Sequence, residues 1–133
     1  MKVYIAGPLC SKKEREFLEK IDCLVRKLGF DTYLPHRDCG LYKNIKDIKR
    51  IAERDIEEVK NCDLIIGVLN GIVVGAGTAF ELGYAKSLGK KIIGLKTDRK
   101  VDESLGDLSA VIVGSIEIVE SLKELEEKLK KIK

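Results

Sequence analysis

The chain has 133 residues, of which 44% are apolar and 35% charged, and its formal net charge is +3. That balance suits one soluble domain, residues 1–133, built round one core, and excludes a disordered chain. It also argues against a nucleic-acid partner, because the terminal lysines sit in KELEEKLKKIK, interleaved with glutamates as on a solvated helix face.

Val3 to Ala6 is a short apolar run closed by Gly7-Pro8, which predicts a strand and a turn. Lys12 to Leu28 places Phe17, Leu18, Ile21, Leu24, Val25 and Leu28 at helical spacing, and Gly29 ends it. Phe30 to Leu34 reads as a second strand stopped by Pro35, and the polar stretch His36 to Lys43 as a loop. Ile45 to Val59 carries another helical stripe. DLIIGVL, residues 63–69, is the continuous apolar run of a strand covered on both faces. A glycine-rich loop follows, then a helix from about Thr78 to Leu88, then a fourth strand at Lys91 to Leu95. Thr97 to Gly106 is charged and reads as mobile, Leu108 to Val113 as a short helix, and Ile116 to Val119 as the fifth strand. Ser121 and Glu124 have the spacing of a capping box at the start of the last helix.

Cys10, Cys23, Cys39 and Cys62 form no CxxC pair, and the single His36 is not spaced with them as a zinc set would be. They read as free core thiols of a reducing, cytoplasmic protein, with His36 a loop residue and no metal. MKVYIAGP is too short for the apolar region of a signal peptide, and no stretch is long enough to cross a membrane.

Strands alternating with helices imply right-handed crossovers and a parallel sheet. Five strands predict an α/β, flavodoxin-like three-layer sandwich with the ligand at the carboxyl ends of the strands. The turns Gly7 to Lys13 and Asn70 to Thr78 should therefore form the site. In GAGTAFELGYA, residues 75–85, Gly75 and Gly77 allow close backbone approach, and the helix start at Thr78 suits an anion. The run is neither a dinucleotide fingerprint nor a P-loop. Glu81 has two readings: a carboxylate complementing the helix dipole, or a base or nucleophile on a pocket floor made by Phe80, Leu82 and Ala85.

VYIAGP (3–8), RDIEEVKNCDLII (54–66) and GTAFELGYA (77–85) together resemble the nucleoside 2-deoxyribosyltransferase family, which includes the 2'-deoxynucleoside 5'-monophosphate N-hydrolases. The resemblance implies that Glu81 is the nucleophile attacking C1' of the sugar, that Tyr4 holds its carboxylate, and that Asp55 lies near the leaving base. It also implies that Ser109 serves the 5'-phosphate in a neighbouring subunit, which makes a homodimer the expected state. Gly75 stands where the transferases carry a base-handling aspartate, which weakens base exchange and favours hydrolysis. Pro8 and Cys10 fall near the hydrolases' phosphate-binding serine and arginine, so phosphate affinity would have to come from Ser11, Lys12, Lys13 or the N–H groups near Gly77 and Thr78.

The expected substrate is thus a small nucleotide or nucleoside, and displacement at its anomeric carbon calls for no cofactor. Three alternatives stay open: base exchange between nucleosides, a cytokinin-type phosphoribohydrolase (whose glycine pattern Ala76-Gly77 breaks), and a non-catalytic nucleotide- or FMN-binding module. Tyr4, Asp55, Ser109 and Lys12 each also have an ordinary structural or surface reading.

Overall fold

In strand β1 (Lys2–Ala6), Val3 and Ile5 point to one side of the sheet and Tyr4 and Ala6 to the other. This period of two divides the core into two layers. The computed structural model describes residues 1–133. Strands β1, β2 (Asp31–Tyr33), β3 (Leu64–Val68), β4 (Lys91–Leu95) and β5 (Glu117–Val119) form one all-parallel sheet in the order β2-β1-β3-β4-β5. The strand order reverses between β1 and β3, as the flavodoxin-like sandwich requires.

Helices α1 (Lys12–Lys27) and α7 (Leu122–Ile132) cover the Val3/Ile5 side, where Leu18, Ile21, Val25, Leu125 and Leu129 are buried. The Tyr4/Ala6 side is covered by α3 (Ile45–Asn61), α4 (Ala76–Ser87) and the short α5 (Leu105–Leu108) and α6 (Ala110–Ser115). A Cβ on Gly67 of β3 would lie 2.7 Å from Leu82 Cδ2, so the missing side chain is what lets α4 lie this close to the sheet.

Two segments and the thiols differ from the sequence expectation. Pro35 to Asp38 forms one helical turn, α2, within the predicted loop. Pro35 supplies a favourable first helical residue, Asp38 accepts from the Leu34 N–H (2.9 Å), and Arg37 pairs with the buried Asp22 of α1 (2.7 Å). The charged stretch after β4 is anchored: Ser104 and Leu108 are buried, and the Val101 N–H donates to Glu120 (2.8 Å). The thiols also depart from expectation. Only Cys62 is buried; Cys39 is half-buried, and Cys10 and Cys23 are exposed. Cys23 lies off the stripe formed by Leu18, Ile21 and Val25, and Cys10 lies in the turn after β1, so neither position faces a core layer.

The helix caps follow local chemistry. Ser11 and Glu14 form a complete capping box on α1. On α7, Ser121 accepts from the Glu124 N–H (3.1 Å), but the Glu124 carboxylate accepts from the Glu120 N–H (2.9 Å) and not from that of Ser121.

Candidate active site

Parallel register places Tyr4 of β1 directly beside Tyr33 of β2, and the two rings stack at 5.3 Å between centroids. Tyr4 is fully buried and its hydroxyl donates to Glu81 of α4. The Tyr33 hydroxyl donates to Asp55 Oδ1 of α3 (2.8 Å). Four side chains from four elements thus form two tyrosine–carboxylate pairs joined by a ring stack.

Each element is held where it must be. Glu81 lies in the second turn of α4, not the first, so dipole complementation explains its presence poorly. The Gly67–Leu82 contact sets how far α4 stands from the sheet. Helix α3 is tied to β1 by the Lys2–Glu58 ion pair (2.6 Å), and Arg54 pairs with the same glutamate (3.2 Å) while lying 5.4 Å from the Tyr33 ring centre.

The electrostatics follow from burial. Loss of water pushes the Glu81 carboxyl up to about 7; the Tyr4 hydrogen bond opposes this and the charge of Asp55 adds to it. Asp55 is also raised, chiefly by burial and against the pull of Tyr33 and Arg54. Both tyrosine hydroxyls are raised well above their ordinary value, so they remain donors throughout the working pH range. At neutral pH the site therefore holds a carboxylate poised between charged and neutral forms beside a second carboxylate, an arrangement suited to attack on an electron-poor carbon.

The other candidate residues are spread round this centre. Thr78 is buried at the start of α4, next to Gly75 and Gly77. A Cβ at Gly77 would meet nothing within 4 Å, so open space lies against that backbone. Gly7 and Pro8 are half-buried in the turn after β1. Ser11 is engaged in the α1 cap, and Lys12 is exposed with its ammonium 3.9 Å from Glu16. Ser109, with φ +71°, joins α5 to α6 and lines a cavity of about 340 Å³ with Ala79, Leu82 and Gly83, apart from the Tyr4–Glu81 pair. Phe80 is 69% exposed and does not form the expected pocket floor; Leu82 and Ala85 point inward from their turns of α4, and Phe80 points outward. A larger cavity of about 760 Å³ opens beside Pro8, Ser11 and Thr97 on the α1 side. Neither cavity is lined by Glu81, Tyr4 or Asp55, and both carboxylates are half-buried.

Sequence reasoning missed three residues that build the site. Tyr33 was read only as part of a strand; its partnership depends on β1–β2 register, which no local pattern displays. Lys96 is almost completely buried at the end of β4, donating to the Leu69 and Gly71 carbonyls (both 3.2 Å) and pairing with Asp98 (2.8 Å). It pins the loop that leads into α4. Arg15 holds the turn after β1 through the Leu9 and Cys10 carbonyls (2.9 and 3.2 Å). A lysine directly after an apolar strand was the one available signal for Lys96.

Comparison with known proteins bears on the whole chain. A conserved protein from Enterococcus faecalis V583 is 28% identical, covers 100% of this chain and 99% of its own, and superposes with a TM-score of 0.81. A 2-deoxyribosyltransferase from Bacillus psychrosaccharolyticus is 21% identical, with 97% and 96% covered and a TM-score of 0.76. A CMP N-glycosidase from Clostridium botulinum is 23% identical, with 99% and 98% covered and a TM-score of 0.67. The last two share the fold at low identity. No curated protein matches the chain. No helix is long and apolar enough to cross a membrane. The sequence model of nucleoside 2-deoxyribosyltransferases matches residues 3–114, a span that takes in Tyr4, Asp55 and Glu81 together. On that match, the chain belongs to the nucleoside 2-deoxyribosyltransferase family.

Proposed function

We propose that the protein is an N-glycosidase that cleaves the base–sugar bond of (2'-deoxy)nucleoside 5'-monophosphates through a covalent intermediate on Glu81. The observation that carries this reading is the half-buried Glu81 carboxylate of α4, held by the hydroxyl of Tyr4 in β1 beside Asp55. An ionised Glu81 oxygen attacks C1', and the C1'–N bond breaks with its electron pair leaving on the base. Asp55 offers the leaving base a proton or hydrogen bond. Water then adds to C1' and gives up a proton to the Asp55 carboxylate, the bond to Glu81 breaks with its electron pair returning to the Glu81 carboxylate, and sugar 5-phosphate is released. Two displacements at one carbon give net retention. A 2-deoxy sugar lacks the electron-withdrawing 2'-hydroxyl, so its oxocarbenium-like state forms more readily.

The half-buried position of Glu81 leaves room for a homodimer, with Ser109 of one subunit completing the other's site next to the 5'-phosphate. Exposed Ile72, Val73 and Phe80 near the loop into α4 give such a partner apolar surface to cover. Four free thiols fit a reducing, cytoplasmic setting, and the near-balanced charge fits the absence of a nucleic-acid partner.

Base exchange is the second reading, favoured by the family to which the chain belongs. One incubation separates the two: a deoxynucleoside monophosphate supplied with a second free base. Release of base and sugar phosphate supports hydrolysis; appearance of a new nucleoside or nucleotide supports transfer. Binding of nucleotides without turnover by the wild type would replace both with a binding module.

A further inference from the structure

We propose that Tyr33 is a positioning residue for the glycosidic step, fixing which oxygen of Asp55 meets the leaving base. This rests on the N-glycosidase reading above. Asp55 reaches the site from α3, and its Oδ1 accepts the Tyr33 hydroxyl at 2.8 Å. An oxygen that accepts such a bond is a poor place for the carboxyl proton. When Asp55 is neutral, its proton therefore resides on Oδ2, which is left to donate to the nitrogen of the departing base. When Asp55 is ionised, the same constraint leaves Oδ2 as the acceptor for a base amino group. In either state Tyr33 removes a carboxyl rotation that would otherwise present two equivalent oxygens.

The ring that carries this hydroxyl is itself immobilised. It stacks on Tyr4, whose own hydroxyl holds Glu81, and it lies 5.4 Å from the Arg54 guanidinium and 5.9 Å from the Lys2 ammonium. Tyr33 is thereby the link between the two carboxylates: one ring pair sets the positions of the attacking and the departing sides of the reaction. Charged or titratable groups facing Asp55 and Tyr33 are Arg54 and Glu58 from α3, Lys2 and Tyr4 from β1, Glu81 from α4 and Cys39 after α2. Among them Tyr33 makes the hydrogen bond that lowers the Asp55 carboxyl against burial.

The test uses Tyr33→Phe, which keeps the ring and removes only the hydroxyl. Carboxyl-carbon NMR of the full-length protein would follow the titration of Asp55 with and without the substitution. The Asp55 midpoint should move up in the variant; an unchanged midpoint would overturn the proposal whether or not the protein turns over substrate. Kinetics supply the second arm. With an ordinary deoxynucleotide, Tyr33→Phe should lower kcat about tenfold with KM nearly unchanged. With an N7-methylated purine nucleotide, whose base departs without a proton, the loss should vanish. In an Asp55→Asn background the substitution should cost nothing further, because it acts through Asp55. An equal loss on both substrates, or a full additional loss in the Asp55→Asn background, would make Tyr33 a packing residue and sink the idea. A shifted Asp55 midpoint in Tyr33→Phe, together with a wild type that releases no base, would instead overturn the N-glycosidase reading, and with it the positioning role given to Tyr33 in that step.

Discussion

The two faces of the sheet are built from the same strands and do different work. On the α1/α7 face, Val3, Ile5, Leu64, Ile66, Val68, Ile93 and Leu95 meet apolar helix residues, and the layer is a hydrocarbon core. On the α3/α4 face, the same period of two delivers Tyr4 and Tyr33, and their hydroxyls recruit Glu81 and Asp55 into partly buried positions. The second face gives up hydrophobic burial for two carboxylates that would be better solvated elsewhere. That exchange marks the α3/α4 face as the candidate site, since stability is given up there for two carboxylates.

The comparison breaks first at Glu81. Glu81→Ala should reduce base release by at least about a hundredfold, as removal of a nucleophile does, while thermal unfolding shows a folded protein. Near-normal turnover in that variant would detach the chemistry from this face. The converse substitution is Ile21→Ala in α1. It should destabilise the protein by about 2–5 kcal/mol in denaturant titrations and leave kcat unchanged in the folded fraction. A large kcat loss there would show that the two faces are coupled.

Smaller effects sharpen the contrast. Turnover requires ionised Glu81, so kcat/KM should rise with pH through a limb near 7. Tyr4→Phe removes the hydrogen bond that favours the ionised form, moving that limb upward and costing about tenfold in rate near pH 6. A pH profile that does not move would remove Tyr4 from the carboxylate's support. Stability has its own sign. The folded protein raises the Glu81 carboxyl from 4.5 to about 7, so the native state holds the proton more tightly than the unfolded chain. Stability is then fully present below about 4.5 and falls as pH rises through 7. Glu81→Gln escapes that loss. It should match the wild type at pH 4 and exceed it at pH 8 by on the order of 5 °C in Tm; equal melting at both values would show that Glu81 is not destabilising.

The sequence by itself determined the layered α/β fold and singled out Glu81 as the candidate central residue. Period-two strands, 3.6-period helices and their glycine or proline stops place nearly every element, because each signal is carried by neighbours within a few residues. Glu81 was legible through its neighbours: Leu82 and Ala85 face inward on α4, and a carboxylate set among such residues needs a reason. The tertiary structure alone decided what Glu81 touches. Tyr4 is 77 residues away in the chain and Tyr33 and Asp55 are 22 apart, and both contacts depend on strand register and on how closely α4 packs over Gly67. Local pattern could not show that Phe80 turns outward, that Lys96 is buried beneath the loop into α4, or that Tyr33 stands beside Tyr4. Each of these is set by long-range pairing, where the free energy of an arrangement lies in contacts between segments and not in any one of them.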